Sequence, residues 1–112
     1  MRNFKKGDIY LVHLKEKYNH VQFGVRPCII VQNDFGNTFS NTLIVVPITT
    51  KIKKKEMPVH VIINSNEMAL CECILTISKN QVINYIETLN SSSMKLIDTA
   101  LIASLGIVEG GK

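Results

Sequence analysis

The feature that most limits what this chain can fold into is the brevity of its apolar runs. Each is rich in β-branched residues and is soon stopped by glycine, proline or a cluster of Asn, Asp and Ser; only the last segment carries a helical repeat. Short β-rich runs punctuated by turn residues are the mark of a small sheet whose strands follow one another closely. The strands are expected at 8–14 (DIYLVHL), 27–33 (PCIIVQN), 42–50 (TLIVVPITT), 58–64 (PVHVIIN) and 69–77 (ALCECILTI). Pro27 should open the second, because proline lacks the donor that the middle of a ladder needs, and Pro47 should mark a bulge or an edge near the end of the third. The segment 82–89 (VINYIETL) fits a strand or a short helix, and periodicity does not choose between them.

The closing segment is plainer. Met94, Ile97, Leu101 and Leu105 recur at helical spacing, Asn90 and Ser91 are good N-caps, and Gly106 is a natural stop, so a helix is expected over 92–105. Strands followed by one amphipathic helix predict a mainly β (α+β) domain, a small bent sheet or barrel capped by that helix. At 112 residues with no repeat and no composition break, the whole of 1–112 reads as a single domain. The connections at 15–24, 34–41 and 51–57 read as loop or turn, the first long enough to invite a function.

Several classes fall away. No run approaches the length of a membrane span, and the basic opening is interrupted by Gly7 and Asp8 before any leader-like apolar stretch, so a cytoplasmic protein without membrane contact is expected. Three cysteines, Cys28, Cys71 and Cys73, are an odd set that suits reduced, buried thiols; on a continuous strand, Cys71 and Cys73 would share a face turned away from Glu72. Their spacing is too tight for a zinc knuckle, and no metal or other cofactor is expected. Phosphate-loop, dinucleotide, zinc-protease and nucleophile-elbow motifs are absent. His13 reads as structural, His20 lies in the long loop within reach of a ligand, and alternation turns His60 away from Val59 and Val61, towards solvent or a groove.

The polar residues at the strand mouths carry more. Arg26 stands between Gly24 and Pro27 at the start of an apolar run, while Thr49 and Thr50 end another. In a small barrel these two ends can lie together. Arginine offers a planar fork of donors matched to phosphate, and a threonine hydroxyl adds another, a pairing suited to the extra charge of a phosphorane. Lys51, Lys53, Lys54 and Lys55 follow directly, placed to hold flanking phosphates, and the net charge of +4 is compatible with an anionic partner. The bland alternative is a surface arginine, threonines chosen for β-propensity and a solvated lysine turn.

The stretches GDIYLVHL, GVRPCIIVQNDFGNTFSNTLIVVPITTKIKK and MPVHVII, with the order GD, G-x-RP, PIT and a final helix, resemble the MazF/PemK (Kid) family of toxins from bacterial type II toxin–antitoxin pairs. The resemblance covers most of the chain. It implies an SH3-like β-barrel of the MazF/CcdB type with a C-terminal helix, and a strand within 82–89. It implies a homodimer that cleaves single-stranded RNA, chiefly mRNA, sequence-specifically and without metal, and that is restrained by a cognate acidic antitoxin. Arg26 and Thr49 match the family's catalytic arginine and threonine. The implied RNA-binding set is His20, Gln22 and Phe23 in the long loop, Asn33 after the second strand, Thr50, Lys51, Lys53, Lys54 and Met57 after the third, and Glu72. Two alternatives stay open: a non-catalytic, CcdB-like gyrase poison, and an inactive paralogue that only binds a protein partner.

Overall fold

A computed structural model of the chain describes residues 3–14, 24–51 and 58–108. Its elements are β1 (Asp8–Leu14), β2 (Gly24–Ile30), α1 (Asp34–Phe39), β3 (Thr42–Thr49), β4 (His60–Asn64), β5 (Glu67–Leu70), β6 (Leu75–Ser78), a single 3-10 turn (Lys79–Gln81), β7 (Val82–Thr88) and α2 (Ser91–Leu105).

The strands form one strongly bent antiparallel sheet in the order β4-β5-β3-β2-β1-β7, with β6 paired to β3 off this path. Among the described residues the sheet does not close, since β4 and β7 end the path. β1 runs against β2 from Ile9 opposite Ile29 to Leu14 opposite Gly24. β3 lies against β2 on one side, while its other side is divided between β6, which takes Thr42–Val45, and β5, which takes Ile48–Thr49.

Both prolines make sense in this layout. Pro47 falls where the β6 ladder has ended and the β5 ladder has not begun, so its missing donor interrupts neither. Pro27 does not open its strand as expected. β2 starts three residues earlier, at Gly24, and Pro27 sits inside it opposite Leu11. Pairing with β3 begins only at Cys28, so at Pro27 the strand has a neighbour on one side alone.

Strand alternation divides the apolar residues between two faces. Ile9, Ile29, Val46, Ile48, Val61 and Ala69 point towards α2 and pack with its Ile97 and Ala100. Tyr10, Val12, Leu14, Cys28, Ile30, Leu43, Val45 and Ile77 form a second buried cluster on the opposite face. α2 begins where expected, Asn90 accepting from the Ser93 N–H at 2.8 Å, and ends on Gly106, whose φ of +66° is the left-handed cap that glycine adopts without strain. Met94 and Leu101 pack against the core as their spacing predicts, but Leu105 is exposed.

Other expectations need correction. Residues 34–41 are not merely turn: Asp34–Phe39 form a helix, capped by Asn33, whose side chain accepts from the Gly36 N–H at 2.8 Å. The run at 69–77 is not one strand. It breaks at a turn in which the Cys73 N–H reaches the Leu70 carbonyl at 3.1 Å, giving β5 and β6, so Cys71 and Cys73 flank a turn residue and do not share a strand face. β4 starts at His60 rather than Pro58. The ambiguous segment 82–89 is a strand over Val82–Thr88.

Candidate functional site

The β2–β3 register, continued beyond its last pair, sets Arg26 and Thr49 opposite one another. β2 and β3 pair as Cys28 with Pro47, Ile29 with Val46 and Ile30 with Val45. Carried two residues further, that register sets Arg26 across from Thr49. Period-two alternation places Arg26 in the row of Cys28 and Ile30, and Thr49 in the row of Val45 and Pro47. Both therefore belong to the face turned away from α2, at the end where the β2–β3 ladder stops.

The local chain supports each. Gly24 has φ +81°, a conformation that residues with a Cβ rarely adopt, and it admits the chain to β2 two residues before the arginine. Pro27 then fixes the backbone immediately after it. Arg26 is half-buried, and its guanidinium lies close enough to the Cys28 sulfur to oppose what burial does there: desolvation pushes that thiol up to about 12, against the pull of the arginine. Thr49 is buried, 6% exposed, and paired with Met68 of β5. Its Oγ1 accepts from the Lys51 N–H at 3.1 Å, which orients the hydroxyl and leaves its own proton available for donation. Thr50 and Lys51 follow, both exposed. This end of the face turned away from α2 thus carries a charged planar fork, an oriented hydroxyl and a lysine, a donor set suited to a phosphate.

The remaining expected residues divide. Asn33 lies past the opposite end of β2 from Arg26, and its carbonyl oxygen caps α1; the fold does not bring it to this end. Glu72 sits in the β5–β6 turn, where its Oε2 accepts from His60 Nε2 at 2.8 Å. His60 accordingly does not face solvent: its side chain is 3% exposed. Alternation did turn it away from Val61, but that side of β4 is covered as well. His13 is exposed on β1, and its carbonyl accepts from the Gln81 amide at 2.9 Å. His20, Gln22, Phe23, Lys53, Lys54 and Met57 lie outside the described residues. Among the described residues no three His, Cys, Asp or Glu side chains gather into a metal-binding group, and no helix is long and apolar enough to cross a membrane.

Residues 5–105 match the family of PemK-like, MazF-like toxins of type II toxin–antitoxin systems. Endoribonuclease EndoA of Bacillus subtilis is 38% identical over 112 residues, covering 94% of this chain and 97% of the relative. Endoribonuclease MazF of Staphylococcus saprophyticus is 36% identical, covering 92% of each. Among solved structures, MazF of Deinococcus radiodurans superposes with a TM-score of 0.81 at 14% identity over 96% of this chain and 100% of that one. A mycobacterial endoribonuclease in complex with its cognate antitoxin gives 0.81 at 23% over 93% and 96%. These superpositions establish the barrel-like MazF fold with its C-terminal helix, and the match over nearly the whole chain makes this protein a member of the MazF/PemK toxin family.

Proposed function

We propose that the chain is the toxin of a type II toxin–antitoxin pair and an endoribonuclease that cuts single-stranded RNA, with Arg26 and Thr49 as its catalytic residues. The observation that carries this reading is the β2–β3 register, whose continuation two residues past Cys28 and Pro47 sets Arg26 across from Thr49 on the face turned away from α2. The endoribonuclease relatives, similar over nearly their whole length, support it.

The reaction is an in-line transfer. The 2′-oxygen forms a bond to the adjacent phosphorus and its proton passes to solvent. The bond from phosphorus to the 5′-oxygen breaks, and that oxygen takes up a proton. The products are a 2′,3′-cyclic phosphate and a 5′-hydroxyl. Arginine side chains stay charged in proteins, so Arg26 acts as donor and counter-charge to the phosphorane rather than as base. Thr49 donates its hydroxyl to the same group. Holding the 2′-oxygen in line with phosphorus supplies much of the acceleration and needs no acid–base residue and no metal. The exposed Lys51, with Thr50 beside it, holds a flanking phosphate.

The protein works as a cytoplasmic homodimer, and a cognate acidic antitoxin silences it by laying a segment over the Arg26 end of the sheet. The mild positive charge supports an acidic partner.

The test is cleavage of a long unstructured RNA in EDTA by wild type and Arg26→Ala, with product ends mapped. Sequence-specific cuts with 5′-hydroxyl ends that vanish in the variant are expected. Intact RNA in the presence of folded wild-type protein refutes the nuclease and favours a toxin that acts by binding a protein.

A further inference from the structure

β4 turns one apolar residue away from the core that its neighbours join. Val61 and Ile63 pack into the cluster beneath α2, and strand alternation sends Ile62 the other way. An outward position on an antiparallel sheet ordinarily takes a polar residue, yet Ile62 stands there 41% exposed. Exposed apolar residues are common on any protein surface, and it is position that sets this one apart.

The register puts Ile62 in line with the proposed cleavage residues. Ile62 pairs with Met68 of β5, and Met68 pairs with Thr49 of β3. The continued β2–β3 register then sets Arg26 across from Thr49. Directly paired residues of antiparallel strands project from one face, so Arg26, Thr49, Met68 and Ile62 form a single cross-strand row on the face turned away from α2. Neighbouring strands lie about 4.8 Å apart, so Ile62 stands about 10 Å from Thr49, on the side opposite Arg26. Met68 is fully buried between them and Thr49 is nearly so, whereas Ile62 reaches the surface. The row ends with it, since β4 is the last strand of the path among the described residues.

Other exposed apolar side chains lie off this row. Val25 is next to Arg26 in sequence and so projects from the other face, and Phe35 and Phe39 belong to α1, past the far end of β2. A phosphate held at Arg26 and Thr49 brings the nucleotides on either side of it to the row. A base drawn out of a single strand has lost its stacking neighbours and turns a flat ring face to water. An apolar side chain laid on that face removes both surfaces from water. Ile62 has no donor or acceptor in its side chain, so it covers a base without reading its edge.

We infer that Ile62 is a substrate-contacting residue whose exposed side chain covers the ring face of one base adjoining the cut. This rests on the reading of the chain as an RNA-cutting toxin. The contact holds that nucleotide against the row and so steadies the phosphate beside Thr49 in the attitude that in-line attack requires. It acts on any base, and on the wider purine more than on a pyrimidine. Covering the exposed part of the side chain favours the bound substrate by about 5-fold.

The experiment measures kcat/KM for wild type, Ile62→Ser and Ile62→Leu on a short RNA with a single mapped cut site. It repeats the measurement on copies in which each base flanking the cut is removed in turn, leaving ribose and phosphate in place. On the intact RNA, Ile62→Ser should lose about 5-fold and Ile62→Leu almost nothing. Removal of one particular base should abolish the difference between wild type and Ile62→Ser, and removal of any other should leave it at about 5-fold; that coupling marks a contact between side chain and base. Where serine unsettles the strand, Ile62→Thr keeps the β-branch and must show the same coupling. An Ile62→Ser protein that cuts the intact RNA at the wild-type rate, or a loss that persists on every base-free copy, overturns the contact while leaving the nuclease intact. Wild-type protein that leaves the intact RNA uncut overturns the nuclease reading, and this inference with it.

Discussion

Thr88, near the end of the sheet, donates its hydroxyl to the carboxylate of Asp8 at 2.7 Å across 80 residues of chain. The other oxygen of Asp8 accepts from the Lys5 N–H at 3.1 Å, and the Tyr85 hydroxyl meets Thr88 Oγ1 at 2.7 Å. Asp8 is wholly buried, so the start of β1 and the end of β7 are tied by a carboxylate that water does not reach. Replacing it with alanine strands donors in the interior. Asp8→Ala is expected to lower stability by about 3 kcal/mol. Urea denaturation checks this, and a loss below about 1 kcal/mol would show that the network contributes little.

Burial pushes the Cys28 and Cys71 thiols from an ordinary 9.0 up to about 12; for Cys71, the neighbouring Glu72 and Cys73 add to the effect. The folded chain therefore keeps these protons at pH values where the unfolded chain has released them. Their stabilising contribution is complete below pH 9 and is lost as pH rises from there towards 12. Melting temperature should fall over that window, and less steeply in Cys28→Ala. At pH 8 an aromatic disulfide reagent should titrate Cys73 alone in the folded protein and all three cysteines after denaturation.

The Thr49 hydroxyl accepts from the Lys51 N–H and, in the proposed reaction, donates to the phosphate. Thr49→Val keeps the shape and removes both bonds. Single-turnover cleavage should fall by about 100-fold, while Thr49→Ser recovers most of the rate. Equal rates for valine and serine would remove the hydroxyl from the mechanism.

RNA binding should weaken as salt rises, with a log–log slope of about 0.7 for each phosphate neutralised on a single strand. Lys51→Ala should reduce the slope by about that amount and leave the cut-site sequence unchanged. A salt-independent affinity, measured by fluorescence anisotropy on a 2′-deoxy analogue, would exclude a phosphate track beside Thr49.

Asn90 caps α2 through the Ser93 N–H. Asn90→Ala should cost about 1 kcal/mol. Loss of ellipticity at 222 nm well below the global melting point would show that α2 unfolds separately from the sheet it covers.

What could be read from the sequence depended on whether one local pattern controlled each element. The final helix was legible because cap, apolar spacing and stop agree, and the placing of Arg26 and Thr49 near strand ends was legible because Gly24, Pro27 and Pro47 punctuate those runs. α1 was hidden because its six residues include turn formers and are too few to display a helical period. The break between β5 and β6 was hidden because the run is apolar on both sides of Glu72 and has no glycine or proline to mark a turn; the partition of β3 between two partners is what splits it, a tertiary cause. The segment 82–89 was ambiguous for a specific reason. Its pairing with β1 slips between Ile9 and Tyr10 and again between Leu11 and Val12, so Ile86 and Ile83 are extra residues in β7 and the alternation is broken twice. The partner of His60 was out of sight because Glu72 reaches it only through the hairpin.

Those two slips have a meaning for the chain as a newly made polypeptide in a crowded cell. Among the described residues β7 ends the sheet, and it exposes Ile83, Tyr85 and Ile86, the kind of greasy border on which strands from other copies can stack into fibres. Stacking needs an uninterrupted run of evenly spaced amides and carbonyls. Here the run is kinked twice within seven residues, so an incoming strand finds no stretch long enough to lock onto, and the border can stay apolar without seeding an aggregate.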